Sequence, residues 1–103
     1  RAANMAPLFQ VPSTSLQVER SEQGIAWQLS LTNTGAAVAL NVWLEDTRVL
    51  DVSGYMYASE NYFCLFPGET RSVSLHWQGV AEADRKLRVR GWNTDEHLIG
   101  SGG

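Results

Sequence analysis

The chain has 103 residues, of which 44% are hydrophobic and 18% charged, and its formal net charge at pH 7 is −3. This length is that of one domain, and the composition is that of a folded rather than a disordered chain. The mild acidity disfavours a nucleic-acid partner, which would require a clustered basic face, and no apolar stretch approaches the roughly 20 residues of a membrane span. The single cysteine, Cys64, excludes an internal disulfide, and its apolar neighbours predict a small buried side chain.

The first third of the chain contains a lead-in followed by two segments that alternate between apolar and polar residues. Residues 1–13 mix small residues with two prolines, which predicts a linker or an irregular lead-in. Residues 15–20 and 25–33 alternate with a period of two, as half-buried strands do. A turn is predicted between them, at residues 21–24.

A third alternating segment covers residues 38–46. A helix over residues 36–44 is compatible with residue propensities, but the alternation is strict and the segment is short, so a strand is predicted. Residues 48–52 are predicted to form a brief edge strand, and residues 53–60 a loop. The residues predicted to face inward in the third segment are Val38, Leu40, Val42 and Leu44.

The strongest local signal is the segment NYFCLFPGE at residues 61–69. A short apolar run that ends at a turn signal is typical of a buried strand. Pro67 presets φ at the first corner of the turn, and Gly68 accepts positive φ at the second. The chain resumes as an alternating strand over residues 70–77, so the segment predicts a hairpin.

The remaining elements complete a β-sandwich. A polar loop is predicted at residues 78–84, a clear strand at 86–92, the start of a final strand at 97–99, and a flexible tail at 101–103. About seven short strands, separated by turn signals every 8–12 residues, predict an all-β, immunoglobulin-like antiparallel β-sandwich over residues 14–100. A small barrel is the nearest alternative. The predicted core residues are Trp27, Leu29, Leu31, Val42, Leu44, Phe63, Leu65, Val73, Leu75, Leu87 and Val89.

Catalytic patterns are absent from the sequence. It has no Gly-rich phosphate loop, no nucleophile elbow and no zinc-ligand spacing, and its two histidines are far apart. Glu45, Asp46 and Asp51 supply too few oxygens from one loop for calcium and are predicted to be solvated. Glu69 is predicted to pair with nearby backbone donors or with Arg71. No catalytic, cofactor-binding or metal-binding residue is predicted.

Four short motifs carry a resemblance to a known family. NYFCLFPGE at residues 61–69 is followed about twenty residues later by Gly-Trp-Asn at 91–93. Upstream lie Leu-x-Leu-x-Asn-x-Gly at residues 29–35 and Ala-x-x-Val-x-Leu at residues 39–44. Together they resemble the C-terminal immunoglobulin-like domain of family 2 glycoside hydrolases, above all the β-mannosidases and exo-β-glucosaminidases. The family usually has Asp where this chain has Glu60.

The resemblance implies a non-catalytic accessory domain of a multidomain enzyme. Both catalytic glutamates of those enzymes lie in a central barrel, and their retaining mechanism needs two carboxylates about 5–5.5 Å apart. No residue here matches those motifs. The resemblance further implies that the partners are the other domains of the parent glycosidase, with no cofactor, and that the parent is periplasmic or secreted. An independent carbohydrate-binding module and an adhesion or spacer module stay open as alternatives.

Two tryptophans form a candidate contact with those other domains. By the strand alternation Trp43 and Trp92 point away from the core on neighbouring strands, with Arg88 and Arg90 beside them. Exposed apolar patches mark contact sites, and interfaces are enriched in aromatic residues and Arg. These four residues are therefore the predicted interdomain contact. A bulge that turns one tryptophan inward, or cover from residues 1–13, stays open, and sugar stacking by the pair is the less favoured role.

Overall fold

The computed structural model describes residues 11–23, 25–48 and 53–100. Within them a single turn of 3-10 helix lies at Glu82–Asp84, and no helix has the length and apolar character needed to cross a membrane. Residues 1–10 of the predicted lead-in, residues 49–52 of the predicted edge strand and the predicted tail at 101–103 lie outside the described residues. The strands are β1 (Leu16–Gln23), β2 (Ala26–Asn33), β3 (Ala39–Asp46), β4 (Tyr55–Ala58), β5 (Phe63–Leu65), β6 (Thr70–Gln78), β7 (Lys86–Arg90) and β8 (His97–Gly100).

The strands form two four-stranded sheets that enclose one core. The first sheet has the order β1–β2–β6–β4 and the second the order β5–β3–β7–β8. Each pairing of neighbouring strands is antiparallel. The predicted all-β immunoglobulin-like sandwich is confirmed, with eight strands rather than about seven.

The core between the sheets matches the prediction closely. Ten of the eleven predicted core residues are buried, and the exception, Phe63, is half-buried at the first position of the edge strand β5. The guanidinium carbon of Arg71 lies 4.8 Å from the centre of the Phe63 ring and covers part of it. Trp27 and Trp77 meet edge to face with ring centroids 5.2 Å apart, an arrangement that the charge distribution of aromatic rings favours.

A β-bulge in β3 reverses the alternation in the first part of that strand. Ala39 pairs with Leu65 and Val42 pairs with Phe63, so β3 advances three residues where β5 advances two. Asn41, which lies between these two pairs, has a φ of 52°. Asn is among the few residues that tolerate this left-handed region. The prediction that Val38 and Leu40 line the core is therefore wrong: the bulge gives the buried position to Ala39, and both neighbours are only half-buried.

Four local predictions fail at strand ends and edges. Residues 55–58 form β4 rather than a loop, because the pairing with β6 is a non-local contact that a four-residue pattern does not reveal. The turn predicted at residues 21–24 is shorter, because β1 continues to Gln23 in its pairing with β2. The strand predicted from residue 25 begins at Ala26, so Ile25 precedes it and is 44% exposed. Cys64 is exposed, not buried, because the period of two in β5 sends Phe63 and Leu65 towards the core.

The Pro67–Gly68 turn is present, but it does not close a hairpin. Gly68 has a φ of 81°, and the Glu69 N–H donates to the Phe66 carbonyl at 2.9 Å, as expected for a type II turn. The strand before the turn, β5, pairs in the second sheet, whereas β6 pairs in the first. The hairpin prediction is wrong because a turn motif fixes a change of direction and not the neighbour that the next strand finds.

The side chain of Glu69 braces this turn as predicted. Its Oε1 accepts a hydrogen bond from the Phe66 N–H at 2.8 Å, and Arg71 Nη2 donates to its Oε2 at 3.0 Å. The pKa of the Glu69 carboxyl is lowered, chiefly by the hydrogen bond from the Phe66 backbone and next by the bond from Arg71. A carboxyl whose pKa is lower in the folded chain stabilises the fold above the unfolded-state pKa, and that contribution is lost as pH falls through the folded-state pKa.

Glu69→Gln should therefore change how stability depends on pH. At neutral pH the variant should unfold at a lower urea concentration than the natural chain, because it lacks the charge-assisted bonds. The difference should shrink between about pH 5 and pH 2, as the carboxyl of the natural chain becomes protonated. Urea midpoints measured at several pH values test this, and a difference that stays constant down to pH 2 would contradict it.

Candidate functional site

The motif asparagine of β2, Asn33, is fully buried and uses its whole hydrogen-bonding capacity. Its Nδ2 donates to the carbonyls of Ala37 and Leu65, both at 2.8 Å. Its Oδ1 accepts from Thr14 Oγ1 at 2.7 Å and from the Gly35 N–H at 3.0 Å. One side chain thus joins Thr14, which precedes β1, the loop after β2 and the edge strand β5.

The backbone of Asn33 connects the same point to the Pro-Gly-Glu turn. Its N–H donates to the Glu69 carbonyl at 3.0 Å, and its carbonyl accepts from the Gly68 N–H at 2.8 Å. The motif at residues 29–35 and the motif at residues 61–69 therefore form one hydrogen-bonded unit.

The first residue of the NYF motif, Asn61, uses its side chain to make the two backbone hydrogen bonds that a paired strand residue would otherwise make. Its Oδ1 accepts from the Leu44 N–H at 2.7 Å, and its Nδ2 donates to the Leu44 carbonyl at 3.1 Å. The side chain thereby satisfies both backbone groups of one β3 residue at a point where β5 has not yet begun. Tyr62, the next residue, has a positive φ of 59° and is 67% exposed.

The Gly-Trp-Asn motif joins β7 to the bulged end of β3. Asn93 accepts from the Leu40 N–H at 2.9 Å and donates through Nδ2 to the carbonyls of Val38 at 2.8 Å and Pro12 at 2.9 Å. A Cβ atom on Gly91 would lie 2.8 Å from the Leu40 carbonyl oxygen, so a larger residue would push the strands apart. The motif asparagines therefore hold backbone segments together, and their polar atoms are engaged in doing so.

The acidic residues Glu45 and Asp46 at the end of β3 each lie within ion-pair distance of an arginine. Asp46 receives hydrogen bonds from Arg48, the shortest at 2.7 Å from Nη2. Burial is the largest single influence on the pKa of Asp46 and raises it, but the hydrogen bonds and charge of Arg48 together lower the pKa overall. No group of three or more His, Cys, Asp or Glu residues suited to a metal ion occurs among the described residues. Asp51 lies outside them.

The predicted contact residues come together on the outer side of the second sheet. Trp43 lies opposite Arg90 in the pairing of β3 with β7, and the Arg90 guanidinium carbon is 4.9 Å from the centre of the Trp43 ring. Trp43 Nε1 donates to Glu45 Oε1 at 3.2 Å. The Trp43 side chain is therefore half-buried by its own neighbours on this outer surface. The bulge precedes Trp43 and does not turn it inward.

Ion pairs and exposed apolar side chains complete this surface. Arg88 Nε lies 2.6 Å from Glu96 Oε2, and Arg88 Nη1 lies 3.7 Å from Glu45 Oε1. Trp92 is 59% exposed, and its N–H donates to the Leu40 carbonyl at 2.9 Å, which continues the pairing of β7 with β3. Leu98, opposite Arg88 on β8, is 71% exposed. We call this surface the tryptophan face, made up of Trp43, Glu45, Arg88, Arg90, Trp92 and Leu98.

The sequence predicted four of these six residues as the contact, described Glu45 only as solvated, and gave no indication of Leu98. The segment at residues 97–99 was predicted only as the start of a strand, so no face was assigned to it. Its register against β7 sends Ile99 towards the core and Leu98 outward. The alternation of Leu98 with the half-buried His97 and Ile99 is a weak signal, because it extends over only four residues.

The two antiparallel sheets define an immunoglobulin-like β-sandwich domain. The family model described as "Exo-beta-D-glucosaminidase Ig-fold domain" matches residues 1–94. The chain belongs to this family of immunoglobulin-fold domains of glycoside hydrolases.

Individual relatives agree with this membership. A mannosylglycoprotein endo-beta-mannosidase of Lilium longiflorum is 38% identical over 53 residues, which cover 52% of this chain and 5% of the lily protein. The crystal structure of the exo-chitosanase CsxA of Amycolatopsis orientalis superposes with a TM-score of 0.64 at 20% identity, covering 87% of this chain and 12% of CsxA. A second structure, of the exo-beta-D-glucosaminidase CsxA in an inhibition study, gives a TM-score of 0.59 at 19% identity with the same coverage. The chain thus spans a small fraction of the length of these proteins, and the structural similarity supports the fold.

Proposed function

We propose that this chain is a non-catalytic, C-terminal accessory domain of a multidomain family 2 glycoside hydrolase of the β-mannosidase or exo-β-glucosaminidase type. The observation that carries the proposal is the use of the family motifs. Asn33, Asn61 and Asn93 direct their side-chain polar atoms to backbone groups and to one buried hydroxyl, so they maintain a scaffold. The names of the relatives supply the enzyme class, and their much greater length supplies the rest of a parent protein.

The tryptophan face is the surface that we propose to dock on the neighbouring domains. Trp92 and Leu98 expose large apolar groups to solvent, and exposed apolar patches on a folded domain commonly mark contact sites. The ion pairs of Arg88 hold its side chain in place before contact, which lowers the entropy lost on docking. Contacts between domains of one chain are typically more polar than obligate interfaces, and this mixture of tryptophan and arginine fits that description.

Substitution of Trp92 by serine, alone and with Trp43→Ser, tests the docking. In the full-length parent both variants should lower the temperature of unfolding or the activity, because the contact between domains is weakened. In the isolated 103-residue chain Trp92→Ser should keep the urea midpoint nearly unchanged, since that residue is mostly exposed. Trp43→Ser should cost the isolated chain more, because it removes the ring beneath Arg90.

The matched control for the docking experiment is Tyr55→Ser, which removes an aromatic residue that is 56% exposed and lies on β4 of the first sheet. It should leave the unfolding temperature of the parent enzyme unchanged. A parent protein that tolerates Trp92→Ser as well as it tolerates Tyr55→Ser would contradict docking through this face. Unfolding of the isolated chain by Trp92→Ser would show that the residue is structural instead.

A further inference from the structure

The outer side of the first sheet differs from the tryptophan face in its chemistry. In β2, β4 and β6, all of which are fully described, the outward-facing positions hold only Ala, Gln, Ser, Thr, Tyr and His. In a chain with 18% charged residues, this surface across three adjacent strands carries no Asp, Glu, Lys or Arg. We call it the tyrosine face.

An ordered row of rings lies at the β4 edge of this face. Tyr57 is opposite His76 in the pairing of β4 with β6, and their ring centroids are 5.1 Å apart with the planes inclined by 20°. Tyr55 stacks on Tyr57 at 6.0 Å and 24°. Both tyrosines are more than half exposed, at 56% and 55%. The three rings therefore contact one another, and the two tyrosines remain partly open to solvent.

Hydrogen-bonding side chains next to the rings are also held in place. His76 Nε2 lies 2.9 Å from Gln78 Oε1, and Ser74 Oγ donates to Gln28 Oε1 at 2.9 Å. These amides and hydroxyls retain further donors and acceptors beyond the bonds that they make with one another. The surface combines stacked aromatic rings with oriented neutral polar groups.

We propose that the tyrosine face binds an uncharged pyranose chain. The C–H groups of a pyranose ring pack against the electron-rich face of an aromatic ring, and its hydroxyls can bond to amide and hydroxyl side chains. A neutral ligand matches a face without charges, because no ionised group has to lose its water on contact. Protein interfaces are depleted in serine, which this face has on both β2 and β6, so a protein partner fits less well.

The proposal rests on the proposed function only in the choice of sugar. If the parent acts on β-linked mannose glycans, the natural ligand is an uncharged β-linked mannose chain. If it acts on glucosamine glycans, the natural ligand is the N-acetylated form, because the free amines of glucosamine are cationic. The tyrosine face would then hold a polymer beside the enzyme while the opposite sheet docks on the neighbouring domains. Because the two faces lie on different sheets, either function can fail without the other.

Titration of the isotope-labelled 103-residue chain with mannohexaose and with N-acetylchitohexaose tests the proposal by NMR. At least one sugar should shift the backbone amides of β4 and β6 and leave those of β7 and β8 in place. Tyr57→Ser should weaken binding by roughly two- to tenfold, the scale of one aromatic contact, whereas Tyr57→Phe keeps the ring and should bind nearly as the natural chain does.

The control variant for this titration is Trp92→Ser, which should bind the sugar as the natural chain does. Absence of shifts at millimolar concentrations of both sugars, shifts centred on the second sheet, or unchanged binding by a folded Tyr57→Ser chain would each overturn the proposal. It would also be overturned if Tyr57→Ser destabilised the full-length parent as Trp92→Ser is expected to do, because the face would then be a protein contact.

Discussion

Replacing Asn33 by alanine should lower the free energy of unfolding by about 3–5 kcal/mol, since each buried polar group left without its partner costs about 1–3 kcal/mol. The substitution removes the partner of two carbonyls, one hydroxyl and one backbone N–H. Some of these groups can rotate or admit water, which keeps the total below the simple sum. Asn33 is fully buried, and the backbone bonds that it makes to the Pro-Gly-Glu turn depend on the same local geometry.

Two matched variants separate the loss of hydrogen bonds from the loss of volume. Asn33→Asp keeps the shape but places one oxygen atom, in the position of Nδ2, against the carbonyls of Ala37 and Leu65. It should therefore be about as damaging as alanine. Asn61→Ala also removes two bonds to backbone, but at an exposed site where water can replace them, and should cost about 1 kcal/mol. Urea unfolding with a common slope gives the three values. Equal losses for Asn33→Ala and Asn61→Ala would contradict the role of Asn33 as the central connection.

The parts of the fold that could be predicted from the sequence are those set by local alternation. In β2 and β6 the period of two is unbroken, and the five residues of these strands that were predicted to lie in the core are buried. Trp77 of β6 and Asn33 of β2 are also fully buried and were not among the predicted core residues. The prediction failed in β3, where the bulge at Asn41 shifts the alternation by one residue. A bulge depends on the pairing with β5, which lies about twenty residues further along the chain. Its position is therefore not encoded in a local pattern.

The motifs were recognisable in the sequence, but their purpose was not. The family pattern includes three asparagines, Asn33, Asn61 and Asn93. Nothing in the residues next to them in the sequence indicated that they bond to backbone atoms of distant strands. The tyrosine face was missed for a related reason: residues 53–60 looked like a loop. The alternation of Tyr55 and Tyr57 was a signal that could have indicated an edge strand, but its partner β6 had been assigned to a hairpin with β5 instead.

Truncation of Leu29 to alanine should cost about 3–5 kcal/mol, towards the upper end for such substitutions in well-packed cores. Leu29 is fully buried in the middle of β2, which has a strand on each side. Its backbone lies between Arg20 of β1 and Val73 of β6, so the surrounding sheet has little freedom to collapse into the space that is left. A rigid surround keeps the cavity, and the cost grows with cavity volume.

Phe63→Ala is the comparison that makes this prediction specific to the structure. From the sequence the two residues are equivalent members of the core, but Phe63 lies half-buried on a three-residue edge strand with Arg71 over its ring. Its truncation should therefore cost about 1–2 kcal/mol, less than the 3–5 kcal/mol typical of a fully buried phenylalanine. Urea unfolding of both variants gives the ratio. A loss of unfolding free energy at Phe63 equal to that at Leu29 would show that β5 packs into the core as tightly as β2. Losses under about 0.5 kcal/mol at both sites would show that the register of the sandwich is wrong.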